Sequence, residues 1–123
     1  MRRLSIRRTR GSMEMEGTLS KATLVRENQH FRGTGGRSEE NRPAGFRPAF
    51  LDAETRIIYP SRFGDGMPAP FHLLDGLPDE VVLARHASGR VAQVKASVIS
   101  GFVRDARFYT REEAARCVSE ACA

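Results

Sequence analysis

His72 and Asp75 stand three residues apart in a stretch that also holds Ser61 and Asp65. Serine, histidine and aspartate are the parts of a hydrolytic triad, in which the imidazole takes the hydroxyl proton and the carboxylate orients the imidazole. A triad is assembled by geometry, and the sharp Gly-x-Ser-x-Gly turn that presents a serine nucleophile in one large hydrolase class does not occur in the sequence. Asp75-Gly76 therefore reads first as a turn, and His72 as a partly exposed loop residue. A small enzyme built on His72 and Asp75 stays as one functional alternative. It requires a pocket in which the two side chains converge.

Other reactive residue types are weaker pointers. His30, His72 and His86 are scattered, and no acid–histidine pair has helical ligand spacing, so no metal site is expected. Gly33-Thr34-Gly35-Gly36 has the density of a phosphate loop. Arg37-Ser38 follows it where a Walker-type loop needs lysine before serine or threonine, and no apolar strand precedes it as in a dinucleotide fold. The run reads as a flexible linker, and no cofactor is expected. Cys117 and Cys122 on one helix would stand about 7.5 Å apart along its axis and point in different directions. That arrangement suits neither a disulfide nor a zinc pair.

Arg47, Arg56, Arg62, Arg85, Arg90 and Arg104 lie on or beside expected strands, interleaved with Phe46, Tyr59, Phe63 and Phe108. Basic and aromatic side chains on one sheet face would bind single-stranded nucleic acid, the charges following phosphate and the rings stacking on bases. The formal charge of +5 invites the same reading, but its distribution weakens it. Arg2, Arg3, Arg7, Arg8 and Arg10 account for the whole excess, since residues 11–45 and 46–123 each balance acids against bases. This leader reads as a basic arm, or as sequence upstream of a start at Met13 or Met15. No apolar segment of signal-peptide type follows Arg2-Arg3, and no run approaches the roughly 18 apolar residues of a membrane span. A cytoplasmic location without membrane contact is the expectation.

The elements that must position these residues follow from pattern. Residues 1–45 are too polar to offset the entropy of ordering them and read as a flexible N-terminal extension. Part of Ala22 to Phe31 is a candidate short helix or edge strand. Phe46 to Leu51 and Ile57-Ile58-Tyr59 flank the turn Asp52–Thr55 as a hairpin, and Pro48, which has no N–H to give to a ladder, places the first strand at an edge. Ser61 to Pro78 carries too much glycine and proline for a regular element, yet it holds Phe63, Met67, Phe71, Leu73 and Leu74. An apolar loop of this kind should lie across the sheet as a cover, and long ordered loops often carry function.

From Leu77 to Ala121 the sequence reads as a β-meander running into a helix. Val81 to Leu83 opens a strand and His86–Gly89 turns it. Val91 to Val103 returns, its β-branched content favouring strand over helix. Gly101 marks a bulge or a close approach. Asp105-Ala106 is a tight turn with an ill-suited alanine. Thr110-Arg111-Glu112-Glu113 is a capping box that starts the last helix, with Arg111, Arg116 and Glu120 on its wet side.

The fold class expected is α+β, a small, mostly antiparallel sheet of four or five strands with one C-terminal helix. Residues 46–123 would form a single domain. No catalytic set emerges, so the expected function is a non-catalytic interaction or accessory module that binds a protein partner or a second copy of itself. Nucleic-acid binding is the alternative. The candidate binding surface is Arg62, Phe63, Met67, Phe71, His72 and Asp75.

Overall fold

The computed structural model describes residues 19–122, with side chains through residue 120. Along the chain, β1 is Arg47–Asp52, β2 Ile57–Pro60, β3 Val82–Arg85, β4 Val91–Val94, β5 Val98–Arg104 and β6 Arg107–Thr110. Four of them form the main antiparallel sheet in the order β2-β1-β5-β6, and β3 and β4 pair in a separate two-stranded sheet. Helix α1 covers Lys21–His30, a single turn α2 covers Ser38–Asn41, and α3 covers Arg111–Cys122. The α+β class with hairpin, antiparallel sheet and terminal helix is the one the sequence indicates.

Register assigns the faces. Phe50 pairs with Tyr59 and Ser100, and Phe102 with Pro48 and Tyr109, so these side chains share one face. Their half of the core divides in two. Leu19, Leu24, Leu74, Leu77 and the valines 81, 91, 94 and 98 gather around Phe50, while Phe46, Ala114, Cys117 and Val118 gather around Phe102. The opposite face carries Leu51, Ile58, Ile99, Val103 and Phe108, none of which belongs to either cluster.

Four local expectations need correction. Pro48 is not on an edge, since β1 lies between β2 and β5. The proline is accommodated just past the end of the β2 pairing. Ser61 N donates to Pro48 O at 2.9 Å, and Ser61 O, which a residue other than proline would engage in return, accepts from Ala69 N at 3.0 Å. Val91 to Val103 is not one strand. The chain bends at Lys95–Ser97, closed by Val98 N to Lys95 O at 3.1 Å, so that Val94 and Val98 both reach the same core. The glycine run 33–36 is not a loose linker. Gly33 N and Gly35 N donate to the two carboxylate oxygens of Glu40 at 2.8 and 3.0 Å. The loop thus cradles an anion that is its own side chain. Burial works to raise the Glu40 carboxyl, but these N–H groups and Arg37 prevail and hold it below its ordinary range. Arg111, finally, is not wet but 3% exposed.

The described part of the segment read as an extension, residues 19–45, packs on the domain. Ser20 caps α1 through Thr23 N at 3.2 Å, and Leu24 enters the core. The basic leader and the alternative starts at Met13 and Met15 lie outside the described residues.

Buried charge ties the β1–β2 turn to the bend after β4. Asp52, wholly buried, accepts from Lys95 Nζ at 3.0 Å and Glu54 N at 2.9 Å. Beside the Ser97 side chain and bonded to these two donors, its carboxyl is held down at about 2 against its burial. Ser97 Oγ is itself buried without hydrogen-bonding geometry, so Lys95 and the Glu54 N–H carry the anion.

The turn between β5 and β6 sets up a test. Asp105 and Ala106 both have positive φ, 54° and 66°. Such a two-residue hairpin turn matches strand twist but costs an L-residue with a Cβ about 1 kcal/mol or more in each left-handed position. Ala106→Gly is expected to stabilise the protein by about 1 kcal/mol, read as a rise in Tm of about 4 °C or more. No change or a fall in Tm would show that the turn is unstrained. Gly101, by contrast, must stay glycine, because a Cβ there would strike the Phe108 ring and Tyr109 O.

Candidate functional site

The loop from Ser61 to Pro78 is ordered by one hydroxyl. Ser61 Oγ donates to Phe71 O at 2.8 Å and accepts from Leu73 N at 2.9 Å, pinning the return of the loop to its start. Within it, Arg62 and Pro68 form a bridge, and Phe63 N bonds to Met67 O at 2.8 Å, with Gly66 at φ 93° in the bend. A rigid tip results. Ala69, Leu74 and Leu77 turn inward and are buried, as a covering loop requires. Phe63, Met67 and Phe71 turn outward at 37, 61 and 49% exposure, with the two rings edge-to-face at 6.0 Å.

His72 and Asp75 are not brought together. Asp75 pairs with Arg90 at 3.1 Å. His72 turns under the loop, its ring edge-to-face with Phe50 and Phe102. Nε2 lies 2.6 Å from Gly101 O and Nδ1 lies 3.0 Å from Arg111 Nη2. A carbonyl only accepts and a guanidinium only donates, so His72 is neutral with its proton on Nε2. Burial and the Arg111 charge push its pKa down to about 3. Neither nitrogen is open to take a proton from a ligand. Ser61 is likewise committed to the loop backbone, and Asp65 accepts from Met67 N at 3.0 Å.

Arg111 is the hub beneath this loop. Its Nε donates to Ser100 Oγ at 3.2 Å, and Nη1 reaches Asn28 Oδ1 and Gly36 O, each at 3.0 Å. Ser100 Oγ in turn donates to Glu27 Oε1 at 2.6 Å, and that oxygen stands 3.4 Å from Arg111 Nε. Burial pulls the arginine's pKa down and Glu27 opposes it. One side chain at the start of α3 thereby joins α1, the glycine turn, β5 and the loop.

Above the hub a cleft of about 170 Å³ opens between the α1–α2 segment and the loop. Its walls include Asn28, Arg37, Ser38, Glu39 and Arg42 on one side and Phe71 and His72 on the other. Sequence reasoning missed the first five because it treated the segment before Phe46 as an extension. The available signal was Ser20-x-x-Thr23, a helix start whose third-position partner is threonine in place of the usual glutamate or glutamine.

The arginine–aromatic set is dispersed. Phe46 is buried and covered by the Arg104 guanidinium at 4.3 Å, Tyr59 donates to Glu80, and Phe108 lies on the other sheet face over Gly101. Arg85 pairs with Asp79 and Arg90 with Asp75. Among the described residues, no three His, Cys, Asp or Glu side chains are placed to share a metal ion, and no helix is long and apolar enough to cross a membrane. In comparisons with known proteins, no family model, no curated protein and no solved structure matches this chain.

Proposed function

We propose that this protein is a non-catalytic interaction module that holds a protein partner on the rigid tip of the 61–78 loop. One observation carries the reading: three of the six large apolar side chains exposed among the described residues, Phe63, Met67 and Phe71, are gathered on this one loop. A hairpin tip fixed by Ser61 and by the Arg62–Pro68 bridge loses little freedom on binding, which lowers the cost of association. Buried aromatic anchors of this kind dominate interface energetics. Placement in the cytoplasm belongs to the same proposal.

The test is an affinity pull-down with the full chain and with the double variant Phe63→Ser/Met67→Ser, each with and without nuclease and with an untagged copy of the chain added. Partners retained by the native chain after nuclease and lost at least tenfold from the double variant support the reading. Co-recovery of the untagged copy, lost in the same variant, identifies the partner as the protein itself. Equal recovery by both proteins places the interface elsewhere, and recovery that disappears with nuclease favours nucleic-acid binding. The substituted side chains are exposed, so the variant should unfold within about 0.5 kcal/mol of the native protein.

A further inference from the structure

The cleft beside the tip has the wrong size for a cofactor and the right chemistry for one acidic side chain. Pockets that hold drug-sized ligands run to roughly 300–1,000 Å³, whereas this one measures about 170 Å³. Its charge is unbalanced. Arg37 is engaged with Glu39 at 2.7 Å and Glu40 at 3.6 Å. Arg42, exposed at the mouth, uses one N–H on Pro70 O at 2.8 Å and has no acidic partner among the described residues. A guanidinium carries five N–H donors, so most of Arg42's remain available. Ser38 lines the same cleft, and its hydroxyl, which makes no hydrogen bond within the described residues, adds a neutral donor beside the Arg42 charge. The Phe71 ring forms both the cleft wall and the near end of the apolar tip.

From this juxtaposition we infer that the cleft takes an aspartate or glutamate side chain of the protein partner, its carboxylate accepting from Arg42 and Ser38, while a neighbouring apolar residue of the same partner rests on Phe63, Met67 and Phe71. The inference deepens the proposed function and rests on it. His72, neutral and turned to Arg111, lines the wall without adding a charge, and Glu39, held by Arg37, is the acid that would repel the ligand if that pair opened. The recognised motif is an acid beside a large apolar residue, with specificity from the acid and contact area from the apolar neighbour.

The test uses a phage-displayed library of random dodecapeptides panned against the full chain, followed by fluorescence anisotropy with one selected peptide. Selected sequences are expected to place Asp or Glu next to Leu, Met or an aromatic residue. Changing that acid to its amide should weaken binding about tenfold, the scale of a charge-assisted hydrogen bond. Against Arg42→Gln protein, the same peptide change should cost almost nothing, a coupling that a mere structural disturbance would not produce. Ser38→Ala should weaken the acidic peptide several-fold and leave the amide peptide unchanged. Peptides that depend on Phe63 and Met67 but show no preference for an acid would overturn the carboxylate inference and leave the interaction module standing. Peptides indifferent to Arg42, Phe63 and Met67 alike, or no enrichment at all, would count against both.

Discussion

Replacing Arg111 by methionine is expected to remove about 3–5 kcal/mol of stability, a large share of the about 5–15 kcal/mol typical of a domain. The reason lies in what the substitution strands. Arg111 satisfies Ser100 Oγ, Asn28 Oδ1, Gly36 O and His72 Nδ1 in a buried space, and it is the cation facing Glu27. Methionine fills similar volume but takes the donor from these acceptors and leaves Glu27 with only the Ser100 hydroxyl, and each stranded buried group costs about 1–3 kcal/mol. Lysine keeps the charge, but its three donors radiate from one point and cannot follow the flat guanidinium fork to four acceptors on four elements. Arg111→Lys should therefore fall between the two. Urea unfolding followed by circular dichroism gives the midpoints. Adding Glu27→Met to Arg111→Met should recover little of the loss, because the Glu27 side chain is 38% exposed and water solvates the carboxylate that Arg111 leaves behind. If Arg111→Met unfolds within about 1 kcal/mol of the native protein, the hub does not hold these elements together.

Acidification should weaken the protein well above the range in which carboxylates titrate. His72 has a folded pKa near 3 against an ordinary value of 6.5. A depressed folded pKa means that the unfolded chain binds the proton first. The stabilisation is complete above about pH 6.5, declines as pH falls and is exhausted near pH 3. The limiting slope is about 1.4 kcal/mol per pH unit, and because His72 borders the open cleft the loss between pH 6.5 and 5 is expected to be about 1–2 kcal/mol. The cost has a visible origin, since a second ring proton on Nδ1 would point at an Arg111 N–H. Asp52, whose carboxyl is held at about 2, has its stabilisation intact above about pH 3.8 and loses it only below, so the two windows separate. His72→Gln retains a donor for Gly101 O and an acceptor for Arg111 but does not titrate. Its stability should be nearly flat from pH 7 to 5. A variant that falls as steeply as the native protein would assign the acid sensitivity to another group.

The two effects share a cause that bears on the proposed binding surface. The wall of the cleft and the base of the apolar tip are both supported by the Arg111 hub, through His72 on one side and Asn28 on the other. The loop that presents Phe63, Met67 and Phe71 is thus anchored at Ser61 by its own backbone and at His72 by the core. Phe63, Met67 and Phe71 hold the loop through backbone atoms and one ring pair, while their side chains turn outward. Stability and recognition can therefore be altered separately, which makes the surface variants informative.

How much of this was legible in the sequence depends on the range of the interaction responsible. Short-range chemistry was readable. The box Thr110–Glu113 caps α3 with bonds of 2.9 and 3.1 Å, the Ser88-Gly89 and Asp105-Ala106 turns lie where turn residues placed them, and Gly101 is the close approach that a glycine inside a strand implies. Alternation and β-branching determined the antiparallel sheet and the α+β class, because a half-buried strand repeats every two residues whatever surrounds it. Tertiary structure alone decided the rest. Nothing local marks Arg111 for burial, since its first-turn position on α3 suits a solvated arginine equally well, and its partners come from positions 27, 28, 36, 72 and 100. Pro48 could enter a central strand only because Ala69 reaches Ser61 O in its place. Polar composition made residues 19–45 read as a flexible extension. Glu40 across the glycine turn orders part of them locally, and the rest comes from contacts made far along the chain, Leu24 in the core and Asn28 on Arg111, which exist only once the sheet has formed.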